Sequence, residues 1–268
     1  RDHLDYHGSM EAYGASKLRL FRMPGIRCAV VNLDDPFGDR VLERLPAGVL
    51  ALGYGLMNQD EISERLDGWA WAQDVQTDGR GMSVRVQTSR GDGEFHTGLL
   101  GDFNVSNLLA VLNVMLFRGF PLHTALERLS SLETVAGRME RLGGGDLPLV
   151  VVDYSHTPDA LEHALIAARS HTDGQLVCVF GCGGDRDSGK RPLMGEITDI
   201  QGGMERPSDV LVQRDRAEAI RTAVAQANAG DLVLMCGKGH EDYQLVGDKR
   251  LNFSDSEQVL LALEETAA

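Results

Sequence analysis

The densest set of chemically capable residues lies in one loop. Val177–Ile197 reads VCVFGCGGDRDSGKRPLMGEI. A β-branched apolar run, then Gly181, Gly183 and Gly184, then helix formers from Lys190 onward predict a strand, a tight turn and a helix. Gly184 to Lys190 fits the first part of the phosphate-loop pattern G-x-x-x-x-G-K. The next residue is Arg191, however, where a Ser or Thr would hold Mg²⁺, and Asp185 and Asp187 would repel a triphosphate. The mixed charges Asp185, Arg186, Asp187, Lys190 and Arg191 better suit a zwitterion whose carboxylate takes a bidentate arginine bond. The plainer reading is a solvated charged loop.

Other clusters carry polar groups at useful spacings. Arg1–Gly8, RDHLDYHG, packs two histidines and two acids into eight residues. His3 and His7 either offer imidazoles to a metal or are solvated on a surface turn. Met10, Tyr13, Lys17, Leu20 and Phe21 recur three and four apart, which puts Lys17 on the apolar face of a predicted helix over 9–23. Either its stem lies on the core with the ammonium in water, or it is desolvated and available for chemistry. Phe103-Asn104-Val105-Ser106-Asn107 sets two amides on a helix's first turn, suited to a purine or ribose edge or to capping. Gly137-Arg138-Met139-Glu140-Arg141 falls at a seam, where an arginine can swing onto a γ-phosphate or form an interdomain ion pair. Asp153-Tyr154-Ser155-His156-Thr157-Pro158 and Gly237-Lys238-Gly239-His240-Glu241-Asp242 each follow an apolar strand. With the glycine loop, three strand ends converge polar residues on one crevice.

For these groups to meet, they must stand on the carboxyl ends of parallel strands. The pattern predicts a strand at Ile26–Leu33 and a β-meander through Trp69–Val75, Met82–Thr88 and Glu94–Leu99, with turns at Asp78-Gly79 and Gly91-Asp92-Gly93. Helices follow at Phe103–Phe117 and Pro121–Leu132. After a seam near Thr134–Arg141, strands and helices alternate: Leu147–Asp153, Pro158–Ser170, Gln175–Phe180, Val210–Val212, Asp215–Ala227, Leu232–Cys236 and Ser254–Glu265. Such alternation implies a parallel sheet covered on both faces. The rhythm breaks once, where Thr198–Gly203 supplies no strand. The expected domains are 1–136 and 137–268.

At 268 residues, with 43% hydrophobic and 25% charged residues, the chain suits two medium domains. The net charge of −14 argues against nonspecific nucleic-acid binding, which needs a basic face. No run of about 18 apolar residues is available to span a membrane, and no signal peptide opens the sequence. Cys28, Cys178, Cys182 and Cys236 form no C-x-x-C pair, so reduced, mostly buried thiols in a cytoplasmic protein are expected. The polar opening without Met is expected to lie inside a longer protein.

Taken together, RDHLDYHGSMEAYGASK, NLDDPFG, FNVSN, GRMER, VVDYSHTPDAL, VFGCGGDRDSGKRPLMGEI, DRAEAIR and GKGHEDYQ resemble the Mur ligases, in order and over nearly the whole chain. Within that family they are similar to the type that adds meso-2,6-diaminopimelate. The resemblance implies an α/β protein: part of a Mur ligase central ATP-binding domain with a small antiparallel meander, then a Rossmann-like C-terminal domain with a mostly parallel sheet. It implies an ATP- and Mg²⁺-dependent ligase of peptidoglycan precursor synthesis, joining diaminopimelate to the D-glutamate γ-carboxylate of UDP-MurNAc-L-Ala-D-Glu through an acyl phosphate. It further implies a cytoplasmic monomer with neither a nucleic-acid nor a membrane partner.

By the same resemblance, Lys17, carbamylated, and His3 would hold Mg²⁺, and both join Arg138, on the γ-phosphate, as catalytic residues. Asn107 would meet adenine and Asp153 the ribose, with His156 in the nucleotide set. Arg186, Gly237 and Glu241 would hold the far amino-acid end of diaminopimelate. The family's G-T-N-G-K-T phosphate loop and N-terminal domain are absent, so this stretch is not expected to ligate alone. Its Asp-Asn-Pro-Arg motif is absent too, and would fall between Ile197 and Thr198. The alternatives are a lysine-adding sibling and a noncatalytic degenerate ligase; retention of His3, Lys17 and Arg138 speaks against the second.

Overall fold

The computed structural model describes residues 9–56, 65–181, 211–246 and 249–267. The chain divides into two compact units. One comprises Arg1–Gln76, Ser83–Thr97 and Asp102–Leu132; the other comprises Thr77–Met82, Gly98–Gly101 and Glu133–Ala268.

In the first unit, Ser9 caps helix α1 (Met10–Leu18), its Oγ accepting from the Ala12 N–H at 3.1 Å, and a short 3-10 turn follows at Leu20–Arg22. Strand β1 (Cys28–Asn32) leads through Asp35, whose Oδ1 accepts from the Phe37 N–H at 2.8 Å, into helix α2 (Phe37–Leu42). Strands β2 (Leu50–Gly55), β3 (Gly68–Asp78), β4 (Gly81–Thr88) and β5 (Gly91–Thr97) complete a sheet ordered β1-β2-β3-β4-β5. β1, β2 and β3 run parallel, Val30 opposite Leu52 and Gly53 opposite Trp69. Connections of two residues, Gly79-Arg80 and Ser89-Arg90, leave β3, β4 and β5 no option but antiparallel pairing. The second turn is therefore Ser89-Arg90, not Gly91-Asp92-Gly93. The Thr88 hydroxyl draws it tight, accepting from the Arg90 N–H and donating to the Gly91 carbonyl.

The sequence pattern named no strand at β2. Gly53 is required there: a Cβ would lie 2.5 Å from Leu66 Cδ1 and 2.7 Å from Leu33 Cδ1. Helices α3 (Asp102–Phe117) and α4 (Leu122–Ser130) end the unit, and buried Asn113 of α3 donates to the Gly53 carbonyl at 2.8 Å. Leu18, Ala29, Val31, Leu33, Val41 and Trp71 form the core that seats α1 and α2 on β1.

The second unit contains β6 (Glu140–Gly143), β7 (Leu149–Asp153), α5 (Pro158–Arg169), β8 (Leu176–Val179), α6 (Arg216–Gln226), β9 (Leu232–Cys236), a hairpin of β10 (Tyr243–Val246) and β11 (Lys249–Asn252), and α7 (Asp255–Ala267). The sheet order is β6-β7-β9-β8, with β7, β9 and β8 parallel and β6 antiparallel at the edge. Side chains alternate across it. Leu149, Val151, Leu232, Leu234 and Cys236 pack with Leu161, Ala164, Leu165 and Ala168 of α5, while Val150, Val152, Val233 and Met235 pack with α6 and α7. A strand buried on both faces reads as an unbroken apolar run, which is why VVV and LVLMC were legible.

Thr157 and Asp215 cap α5 and α6 through their side chains. Arg216, one residue further, makes a bidentate pair with fully buried Asp255 at 2.7 and 2.6 Å and also donates to the Cys236 carbonyl. Removing either partner of such a buried pair costs about 3–5 kcal/mol. The strand expected at Val210–Val212 is not found: Leu211 and Val212 lie outside any strand and are 68% and 86% exposed, and Val210 is outside the described residues. The glycine loop beyond Gly181 and the helix expected after Lys190 are also outside them. Among the described residues no helix is long and apolar enough to cross a membrane.

Candidate functional site

In the second unit the carboxyl ends of the parallel strands β7 and β9 assemble one polar edge. β7 ends at Asp153, which is 8% exposed. Its Oδ2 accepts from the Met139 N–H at 2.9 Å, and its Oδ1 accepts from the Ser155 N–H at 2.8 Å and from the Ser155 hydroxyl. The Gly237 N–H donates to the Asp153 carbonyl at 3.2 Å, tying the ends of β7 and β9 together.

The Met139 bond holds an unusual turn. Gly137 has φ +69°, and Met139, a buried non-glycine, has φ +51°. A left-handed conformation costs an ordinary residue about 1–2 kcal/mol. Compensation comes from the network around it: the Gly137 N–H and the Ser256 hydroxyl both donate to Glu140 Oε2, at 2.8 and 2.9 Å, and the Thr134 hydroxyl donates to the Arg138 carbonyl. Gly137 also lies against the loop after β9, since a Cβ there would come 2.1 Å from the His240 backbone nitrogen. Arg138 is thus presented outward from a turn fixed on both sides.

Aromatic rings gather beneath it. The Arg138 guanidinium carbon lies 4.7 Å from the centre of the Tyr154 ring. That ring meets His156 edge-on at 4.8 Å and His240 at 5.5 Å. His156 Nδ1 is 2.9 Å from the Tyr154 carbonyl, so Nδ1 carries the proton and Nε2 is left to accept. Glu241 is half-buried and already paired, its Oε2 lying 3.3 Å from Lys238 Nζ; that ammonium also donates to the Tyr243 carbonyl. A hydrogen bond with the Cys178 thiol, and then burial, push the Cys236 thiol pKa well up, which suits an inert, reduced cysteine. Arg138, Asp153, His156, Gly237 and Glu241 therefore share one edge. Tyr154, Lys238 and His240, from the same two strand-end motifs, join them, as does Arg216, directly behind the cap of α6.

In the first unit, the parallel strands β1 and β2 end at Asn32 and Gly55. Asp34 accepts from the Leu56 N–H at 2.8 Å, and a Cβ on Gly55 would strike the Asp34 carboxylate at 2.5 Å. Burial raises the Tyr54 pKa; the Ser106 side-chain bond counters this and the Asp34 charge adds to it. Asn107 is exposed on α3, its amide donating weakly to Asn104 Oδ1 at 3.4 Å. Lys17 corrects an expectation. The buried positions of α1 are Gly14 and Leu18, and Lys17 is exposed, its ammonium 5.2 Å from the Tyr13 ring centre. The apolar stripe is one residue off the predicted one because Gly14 packs against Phe37, with the ring carbon Cε2 2.8 Å from where a Cβ would be. His3 and Arg186 lie outside the described residues.

Two α/β units, each with polar groups at the carboxyl ends of parallel strands, match the models of one family. The Mur ligase middle domain matches residues 1–115, and the Mur ligase glutamate ligase domain matches residues 137–201. The chain belongs to the Mur ligase family. Among its relatives, the UDP-N-acetylmuramoyl-L-alanyl-D-glutamate–2,6-diaminopimelate ligase of Ectopseudomonas mendocina is 46% identical, over 95% of this chain and 56% of that one. The ligase of the same name from Coxiella burnetii is 44% identical, over 98% of this chain and 58% of that one. A solved structure of a ligase with that name superposes with a TM-score of 0.71 at 34% identity, covering all of this chain and 59% of that one. The chain thus spans somewhat over half the length of the relatives it matches. The aligned stretches, 279 and 289 residues, exceed its own 268, so the relatives carry residues that it lacks.

Proposed function

We propose that this chain is the greater part of an ATP-dependent amide ligase that joins meso-2,6-diaminopimelate to the D-glutamate γ-carboxylate of UDP-MurNAc-L-Ala-D-Glu. The observation that carries the reading is 44–46% identity, over nearly the whole chain, to relatives named for that ligation. The turn that presents Arg138 supports it, because an exposed guanidinium on a rigid mount suits charge that develops on a transferring phosphoryl group.

In this reading the γ-carboxylate takes the terminal phosphoryl group of ATP, and the diaminopimelate amine attacks the acyl phosphate, expelling phosphate. Asn107 meets the adenine, and Asp153 and His156 stand beside the ribose. Arg186, Gly237 and Glu241 receive the distal carboxylate and ammonium of diaminopimelate, with Lys238 trimming the charge of Glu241. Lys17 fits a metal site only after modification: its exposed amine can add CO₂ and lose a proton, giving a carbamate anion that would hold Mg²⁺ together with His3. That ion, when bound, would neutralise phosphate charge. The enzyme acts as a cytoplasmic monomer on soluble substrates.

The test is phosphate release by the full-length enzyme with UDP-MurNAc-L-Ala-D-Glu, ATP and either diaminopimelate or lysine. Turnover with diaminopimelate at least about 100-fold above that with lysine is expected, since a distal carboxylate that leaves an arginine unpaired when missing is strongly discriminated. Equal or reversed preference would transfer the chain to the lysine-adding type.

A further inference from the structure

Arg138 is exposed, and a free arginine side chain samples many rotamers; holding one costs entropy at the moment of binding. The turn fixes its backbone, but a second device fixes its head. The guanidinium lies over the Tyr154 ring at 4.7 Å, and the ring itself has close neighbours. His156 and His240 border it at 4.8 and 5.5 Å, and Gly239 approaches so closely that a Cβ there would sit 2.8 Å from Tyr154 Cβ. Gly239 touches the Arg138 turn as well, because the same Cβ would be 2.7 Å from the Gly137 carbonyl oxygen. Platform and turn therefore interlock through one glycine.

We propose that Tyr154 is a positioning residue: its ring holds the Arg138 guanidinium aimed outward, so that the arginine meets the terminal phosphate of a nucleoside triphosphate already oriented. The identity of that anion rests on the ligase reading above. The ring acts through Arg138 and makes no contact of its own with the nucleotide. An aromatic face is what the role needs, since a cation is drawn to the π-cloud and the hydroxyl adds nothing to it.

The experiment is calorimetric binding of ADP and of a non-hydrolysable ATP analogue to the full-length enzyme and to its Tyr154→Phe, Tyr154→Leu, Arg138→Ala and Tyr154→Leu/Arg138→Ala variants. Leucine fills the site without a π-face, which guards against a collapse that alanine could cause. Tyr154→Leu is expected to weaken the analogue about fivefold while leaving ADP unchanged, and Tyr154→Phe to stay within about twofold of wild type. In the double variant the Leu change should add nothing to the loss from Arg138→Ala. Equal losses for ADP and the analogue would make the ring a nucleotide contact or a plain scaffold and overturn the proposal, as would additive losses in the double variant. Wild type that binds both nucleotides but turns over lysine would sink the diaminopimelate assignment and leave this cycle readable. Wild type that binds neither nucleotide would sink both.

Discussion

The two ends of the second unit's sheet carry the same three residue types and use them differently. At the carboxyl end stand Arg138, Asp153 and His156; at the amino end stand Arg141, Asp231 and His171. The amino-end residues are engaged with the fold, apart from the buried Arg141 Nε, which has no hydrogen-bond partner. His171, 3% exposed, faces the Asp78 carbonyl through Nδ1 at 2.8 Å and accepts from the Gly101 N–H through Nε2 at 3.1 Å, which requires the neutral ring. Asp231 accepts backbone N–H bonds from Gln175 and Asn228. The Arg141 guanidinium donates to the carbonyls of Arg80, Gly79 and Gly98, pinning the β3–β4 turn within this unit; burial lowers its pKa and Asp78 counters the shift. A cavity of about 300 Å³ lies beside them, lined in part by Gly144, Gly145, Thr172 and Gly230.

At the carboxyl end, by contrast, Arg138 and His156 reach solvent with donors and acceptors to spare. Residue type therefore does not identify a working group; the number of its hydrogen-bonding positions already used does. By that measure Asp153 belongs with the amino-end residues, although it sits among the functional ones. Its carboxylate anchors the turn on which Arg138 rides, whatever else it touches.

The contrast can be broken in three places. The largest effect is expected at Gly137→Ala, where a Cβ meets backbone at 2.1 Å in a left-handed conformation. A stability loss of about 4–5 kcal/mol in urea unfolding is expected, with loss of turnover in whatever remains folded. A variant with an unchanged urea midpoint would show that the turn is not rigid. Next, Arg141→Ala should cost about 2–3 kcal/mol, because it strands carbonyls that the guanidinium satisfies, yet turnover per folded molecule should stay near wild type. A drop in turnover larger than about tenfold, measured well below the melting temperature, would erase the distinction between the two ends.

The smallest effect is a pH dependence at Asp231. Its backbone bonds from Asn228 and Gln175 lower its pKa below the ordinary 3.8. A depressed carboxyl stabilises the fold fully above the unfolded-state value and loses that contribution as pH falls through the folded-state value. Asp231→Asn should therefore melt lower than wild type at pH 7, with the gap narrowing once the pH passes below about 3.8. A gap that holds constant down to pH 2.5 would mean that the bonds, rather than the charge, carry the stabilisation.

Much of this was legible beforehand wherever the signal was local. Val150–Val152 and Leu232–Cys236 are unbroken apolar runs that only a doubly covered strand explains, and Thr157-Pro158 and Asp215 mark helix starts through a side chain and the N–H three residues on. The strand ends then named Asp153, His156 and Glu241 as neighbours, with Arg138 at the seam beside them. What failed depended on partners far along the chain. β2 was not named, and the reason for its Gly53 lies in Leu33 and Leu66. Lys17 looked core-facing because the reason for Gly14 lies in Phe37.

The sequence by itself settled most of the elements and the polar residues that follow them, though not β2 or the β10–β11 hairpin, since caps, turns and apolar periodicity act over a few residues. The tertiary structure alone decided which of those residues remain free to act. Whether a histidine or an arginine has a nitrogen left over can depend on backbone groups brought to it from 60 or more positions away, as with the Arg141 guanidinium on Arg80 and Gly79 and His171 on Asp78 and Gly101. No local pattern encodes that.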